Sequence, residues 1–354
     1  MKALFRNKNI LKTILVSVFA AMSLVGSFHF ASAHEAYVLP ADRFQEGLHQ
    51  TTTNPFASLF DASHLKLTII ITICVVLAFL LNFLIAASKT GERLSDFVKK
   101  AGAFGPLLIR FVVGISFFYS ARSQVVFGPE LQLSVVPHGQ LILFLEFALS
   151  IMFIFGAFTE FAAAIAIAIY FYLFGTFHAY MLTYANYFGE FLVLVVFGSR
   201  FLSIDRLLFG AESFWKKARQ WTYLEVPVVR VLYGVALIYA GYTIKFAHQQ
   251  LTIDVYNQYH LEYFFHATGA FIAAGAGVSE IAIGLLILLG FGVRLTVLIS
   301  LVFITLSLSY FHELLWPHYL LYGISISLLI NAGGAYSLDK PLINWIKRYI
   351  YGSR

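Results

Sequence analysis

Apolar residues gather into nine long runs, at 65–87, 106–126, 140–158, 160–177, 184–202, 227–247, 268–289, 293–311 and 318–332, and most charged residues fall in the joints between them. Most runs approach the ~20 residues that a helix needs to cross hydrocarbon. Hydrocarbon offers no partner to a backbone amide or carbonyl, so each run has to satisfy itself as a helix and strands are not expected. The pattern predicts an all-α integral membrane protein with nine mature spans. Ahead of them, the basic start MKALFRNKNILK, the apolar stretch from Thr13 to Phe30 and the small residues Ala31, Ser32 and Ala33 read as a signal peptide over 1–33. Residues 34–64 read as a polar periplasmic arm, and 65–105 as an extra N-terminal transmembrane helix with its loop.

Composition agrees with this reading. The chain is 60% hydrophobic and 12% charged, with a mean hydropathy of +0.80, against about 25% charged residues in a soluble domain. The net charge of +6 would suit nucleic acid, but the position of the charges argues otherwise. Lys89, Arg93, Lys99 and Lys100 follow the first span, Arg206, Lys216, Lys217 and Arg219 the fifth, and Lys340, Lys347, Arg348 and Arg354 the last. Four spans separate each basic joint from the next, so all fall on one side, as the positive-inside rule requires. No nucleic-acid partner is therefore implied. The expected location is the cytoplasmic membrane, with the mature N-terminus periplasmic and the tail 340–354 cytoplasmic. A single cysteine, Cys74, excludes an intrachain disulfide or dithiol centre. No phosphate loop, nucleotide fingerprint, nucleophile elbow or HExxH motif is present, which removes the hydrolase and ATPase classes.

The chain also repeats itself. Aligning Ser203-Ile204-Asp205 with Ser337-Leu338-Asp339 sets an offset of 134, at which Glu146 meets Glu280 (280 − 146), Gly156 meets Gly290, His178 meets His312 and Tyr184 meets His318. At an offset of 120, Arg110 meets Arg230 and Gly114 meets Gly234. Two four-helix repeats, 106–205 and 227–339, follow, joined by a linker at 206–226. Four spans per repeat is an even number, so the two are parallel, related by an axis along the membrane normal, and a site between them could draw on both.

These residues carry a resemblance. The Arg-x-x-x-Gly openings (Arg110/Gly114 and Arg230/Gly234), Lys245, the glutamates Glu146 and Glu280, Gly290 to Arg294, His312 and the closing Ser-x-Asp resemble the DoxX/DoxD-like membrane family, twice over. The resemblance implies a cytoplasmic-membrane protein; some members of the family are subunits of a thiosulfate:quinone oxidoreductase or accessories to redox enzymes, while most have no assigned function, and quinone is one of the cofactors left open. The copies depart from one another: Glu160 stands against Arg294, Arg122 near Lys245, and Tyr184 against His318. On that comparison the second copy is expected to hold the fuller site.

Three groups of residues are candidates for chemistry. Glu146 and Glu280 lie inside spans, where an unpaired carboxylate costs on the order of 3 kcal/mol, and His178 and His312 end the following helices at similar depth. Glu146, His178, Glu280, His312 and His318 are the candidate catalytic set, for proton transfer, metal or a quinone head group, with interhelical hydrogen bonds as the bland alternative. Glu190, Arg110 and Arg230 are candidate cofactor contacts, although the arginines also suit a clasp on Asp205 and Asp339 or snorkelling to the interface. Ten of the eleven histidines lie after the signal peptide, all expected on the periplasmic side. Cleavage after Ala33 would expose His34, and His34, His49 and His64 could together hold copper. Three functions stay open: a subunit or accessory of a periplasmic-side quinone-linked redox system, a periplasmic metal-handling protein, and an assembly partner of another membrane or periplasmic protein.

Overall fold

The structure, a computed structural model, describes residues 38–39, 43, 46–47, 49–199, 202–210 and 216–350. The expected signal peptide and His34 lie outside these residues. Among the described residues a helix stands at each of the nine apolar runs. These are α1 (Leu65–Ala87), α3 (Gly105–Arg122), α4 (Gly139–Phe155), α5 (Thr159–Phe177), α6 (Ala185–Phe197), α8 (Glu225–Ala240), α10 (Gly269–Leu289), α11 (Val293–Phe311) and α12 (Tyr319–Asn331). Five stretches are long and apolar enough to cross a membrane: 65–87, the joined run 159–197, 220–247, 269–289 and 293–311. Between them lie α2 (Lys89–Lys99), α7 (Ile204–Phe209), α9 (Gln249–Gln258) and α13 (Asp339–Tyr349).

The eight helices α3 to α12, less the short α7 and α9, pack in a closed circuit. Within the first half α3 packs on α4, α4 on α5 and α5 on α6; within the second, α8 on α10, α10 on α11 and α11 on α12. The halves then meet reciprocally, α6 against α8 and α12 against α3. Small residues set these approaches, as expected where helices pack inside a membrane. Gly114 faces Ile154 so closely that a Cβ would come within 2.8 Å, and Gly234 faces Leu288 at 2.7 Å. Across the two interfaces, Gly189 lies under Leu232 and Gly323 under Val112. All four pairs match at the sequence offsets of 120 and 134.

Two elements were not expected from the sequence. The segment after α3 turns back as a small antiparallel hairpin, β1 (Val125–Val126) and β2 (Gly128–Gln132), so the expectation of no strands is corrected. Irregular backbone survives at this depth because protein groups satisfy it. Ser120 Oγ donates to the carbonyl of Val125 at 3.0 Å, and the Phe127 amide and carbonyl are both bonded by buried side chains. At the corresponding place in the second half, the last turn of α8 widens into a π-helix (Gly241–Ala247) and α9 follows, burying Leu251 and Val255. Val38 and Leu39 pack on this helix, and the amide of Thr52 donates to the carbonyl of Ala247 at 2.9 Å, so the described part of the arm lies against the second half.

Candidate functional site

At the end of the bundle away from the hairpin, the turns of the two halves are built alike. Asp205 accepts the amides of Phe158 and Thr159, and Asp339 those of Gly292 and Val293. The glycines that end the helices before them, Gly156 and Gly290, have φ of +65° and +71°, a left-handed conformation that glycine adopts without the penalty a Cβ brings. Arg110 is buried at 2% exposure and its Nη2 donates to the carbonyl of Leu202 at 2.8 Å. Arg230, equally buried, donates to the carbonyls of Ile287 and Tyr336. Both arginines are buried and hold backbone carbonyls, where the alternative reading had placed them on the carboxylates of Asp205 and Asp339. Burial pushes the Asp339 carboxyl above its ordinary range, and the Gly292 and Val293 amides and the Arg230 and Arg294 charges oppose that rise. Arg294 donates to the carbonyls of Leu329 and Ile330 and so caps α12.

At the opposite end, which carries the hairpin and α9, the expected Glu–His pairs do not form. Glu280 is ion-paired with Lys245 at 3.5 Å, both side chains 19% exposed, because the π-turn swings Lys245 toward α10. Glu146 accepts the amide of Phe127 at 3.0 Å. His178 and His312 are exposed, with φ of 51° and 53°. His312 closes its helix in the left-handed αL conformation, where histidine is among the enriched residues, whereas His178, at ψ −137°, leaves its helix by a different turn. His318 does have a carboxylate partner, one the sequence reading missed: Nε2 lies 3.4 Å from Glu313, both nearly fully buried, while Nδ1 faces the carbonyl of Leu314 at 2.9 Å. Glu313 sits one residue past the His312 turn, a place with no periodic signal.

The fuller polar interior lies in the first half, which corrects the expectation for the second. Glu146 and Glu190 are completely buried, and Glu146 Oε2 and both oxygens of Glu190 have no hydrogen-bond partner among the described residues. Buried around them are Ser116, Asn186 and Tyr187, with Ser116 Oγ and Asn186 Oδ1 also unpartnered there. Tyr187 donates its hydroxyl to the carbonyl of Phe127 at 3.1 Å, the residue whose amide Glu146 accepts. Phe127, at φ 58° and 1% exposure, is held by stacking on Phe117 and Tyr187. In the second half the equivalents of Ser116, Asn186, Tyr187 and Glu190 are Ala236, Leu320, Leu321 and Ile324. A polar-to-apolar comparison of the two copies across all four helices would have found this chamber in the sequence.

Of the three proposed copper ligands, His34 lies outside the described residues, His49 is exposed, and His64 is buried with its ring stacked on Phe271 at 4.5 Å. Among the described residues no group of three or more His, Cys, Asp or Glu is placed to hold a metal ion.

Comparison with known proteins gives one family: residues 226–313 match the DoxX model. No curated protein and no solved structure matches the chain. That segment, about a quarter of the chain, contains Arg230, Glu280 and His312 and is similar to the DoxX family.

Proposed function

We propose that the protein is a nine-span product of a duplicated four-helix unit, exported by a signal peptide and oriented with its hairpin end periplasmic. In this reading it serves as a subunit or accessory of a periplasmic-side, quinone-linked redox system, with the chamber of the first half as the quinone-contacting site. The observation that carries the reading is the pair of wholly buried glutamates, Glu146 and Glu190, with unpartnered oxygens inside a membrane bundle. Ionisable groups kept at such depth are functional by default, since they cost stability and an apolar residue would serve packing better.

The chamber suits a quinone head group chemically. A protonated carboxyl donates a hydrogen bond to a carbonyl oxygen, and an ionised one accepts from a quinol hydroxyl. A bound quinone would supply two-electron, two-proton chemistry. The chain's own residues would orient it through Ser116 and the glutamates, exclude water with Phe117, Phe127 and Phe191, and hold a proton at Glu146 Oε2 or Glu190. The aromatic packing of Phe117 on Phe191, at 5.7 Å, makes that wall. Glu280, His312 and His318 are assigned no quinone contact.

Purified protein titrated with a short-chain quinone, read by quenching of its aromatic fluorescence, tests this. Saturable binding that weakens in Glu146→Gln and Glu190→Gln, and is unchanged in Glu280→Gln, is expected. Binding that survives both chamber substitutions in folded protein would refute the site.

A further inference from the structure

Five protonatable side chains, Glu130, Tyr184, Tyr187, Glu146 and Glu190, and one bonded peptide unit run from the hairpin end into the polar interior. Glu130 on β2 is half-buried at the hairpin end, and Tyr184 donates its hydroxyl to that carboxylate. Gly128 has no room for a Cβ because the Tyr184 hydroxyl lies against it, so the hairpin is shaped around this contact. Tyr184 closes the 3-10 turn ahead of α6, and Tyr187 and Glu190 follow on α6 at three-residue steps, so Tyr187 neighbours Glu190 on the helix surface. The Tyr184 and Tyr187 rings are 6.1 Å apart. Tyr187 in turn lies within electrostatic reach of Glu130, Glu146 and Glu190 together, and shares the Phe127 peptide with Glu146.

We infer that this stripe is a proton path, with Glu130 as its mouth, Tyr184 and Tyr187 as relays, and Glu146 and Glu190 as the inner proton-holding groups. A proton taken from bulk water by Glu130 passes to the Tyr184 oxygen as Tyr184 gives up its own hydroxyl proton inward. A water molecule between the phenols hands on a proton in the same way, and Tyr187 then delivers one to Glu146 or Glu190. Each phenol ends as it began, Glu130 returns to its ionised form, no electron moves, and the net change is one proton carried from bulk water to an inner carboxylate. The reverse sequence releases a proton to the hairpin side.

The surroundings leave few competing groups. On α5, Tyr170 donates to the carbonyl of Met181 at 2.8 Å, and on α8 Tyr233 is bonded to Ser325 at 3.2 Å; Tyr187 has to turn its hydroxyl from the Phe127 carbonyl, 3.1 Å away, to relay a proton. From α3 come only the hydroxyls of Ser116 and Ser120, since Arg110 is held at the opposite end and Arg122 is exposed. Tyr180 is the remaining neighbour, beside Tyr184. The path needs no quinone and stands apart from the quinone-site reading.

Deuterium exchange of the buried carboxyl groups, followed by infrared spectroscopy of reconstituted protein, tests the path. Protonated carboxyl bands that vanish one at a time in Glu146→Gln and Glu190→Gln assign the signals. Tyr187→Phe and Glu130→Gln, which keep ring packing and side-chain size, are expected to slow exchange on the order of 100-fold, the low end of what losing one proton-transfer group costs. Wild-type exchange rates in both variants would overturn the path. Should Tyr187→Phe fail to fold, Glu130→Gln and Tyr184→Phe decide alone. Loss of quinone binding with unchanged exchange would remove the path and leave the quinone site; altered exchange without quinone binding would do the opposite.

Discussion

Asp205 accepts the amide hydrogen of Thr159 at 3.0 Å. Its counterpart 134 positions on, Asp339, accepts that of Val293 at 3.2 Å, so each half is closed at the end away from the hairpin by a carboxylate on a helix N-terminus, where the dipole favours negative charge. Replacing either aspartate by alanine leaves those amides unbonded and removes the charge facing Arg110 or Arg230. A loss of about 1.5–3 kcal/mol per site is expected, the range for hydrogen bonds to charged groups, read as a lowered unfolding transition in detergent. The loss at Asp205 should be the larger, because Asp205 also accepts the Ser199 hydroxyl at 2.8 Å, where the second half has Gly333.

Glu190 should be a residue whose removal stabilises. Its equivalent in the second half is Ile324, fully buried among apolar neighbours, and its own oxygens have no partner among the described residues. Glu190→Leu is expected to raise stability by about 2–3 kcal/mol, the scale of placing a carboxylate in a membrane span, while abolishing quinone binding. A destabilised Glu190→Leu protein would mean that the carboxyl locks the bundle and has no ligand or proton role.

Glu280 and Lys245 should behave as a pair. Glu280→Gln leaves the lysine charge without its 3.5 Å partner, and a membrane-depth charge so stranded is costly. The double variant Glu280→Gln with Lys245→Met is expected to be more stable than either single variant, as a thermal double-mutant cycle would report. Additive losses would contradict the pairing.

The C-terminal helix should loosen in acid. Lys347 of α13 is bonded to Glu92 of α2, which holds the Glu92 carboxyl below its ordinary range. A carboxylate lowered on folding contributes stability that is present above its unfolded value, near 4.5, and is lost as pH falls through the folded value. Protease accessibility of α13 should therefore rise below that pH and with added salt, since the pair is exposed and screened. Glu92→Gln should be accessible already at neutral pH and show no further acid dependence from this contact.

The helical runs, the membrane setting and the paired motifs were legible in the chain because they rest on local chemistry: apolar length fixes a helix in hydrocarbon, and a glycine before a turn or an aspartate on a helix N-terminus acts within a few residues. What the chain could not tell was direction. Glu280 faces Lys245 and not His312 because a π-turn rotates the end of α8. The polar interior forms because Phe127, 19 residues before Glu146 and 60 before Tyr187, is folded inward by a hairpin with no alternating pattern to announce it. Sequence by itself determined which residues are too polar for their surroundings; only the packing of α3, α4 and α6 decided that Glu146, Tyr187 and Glu190 share one interior, since burial is a property of neighbours brought together across the chain.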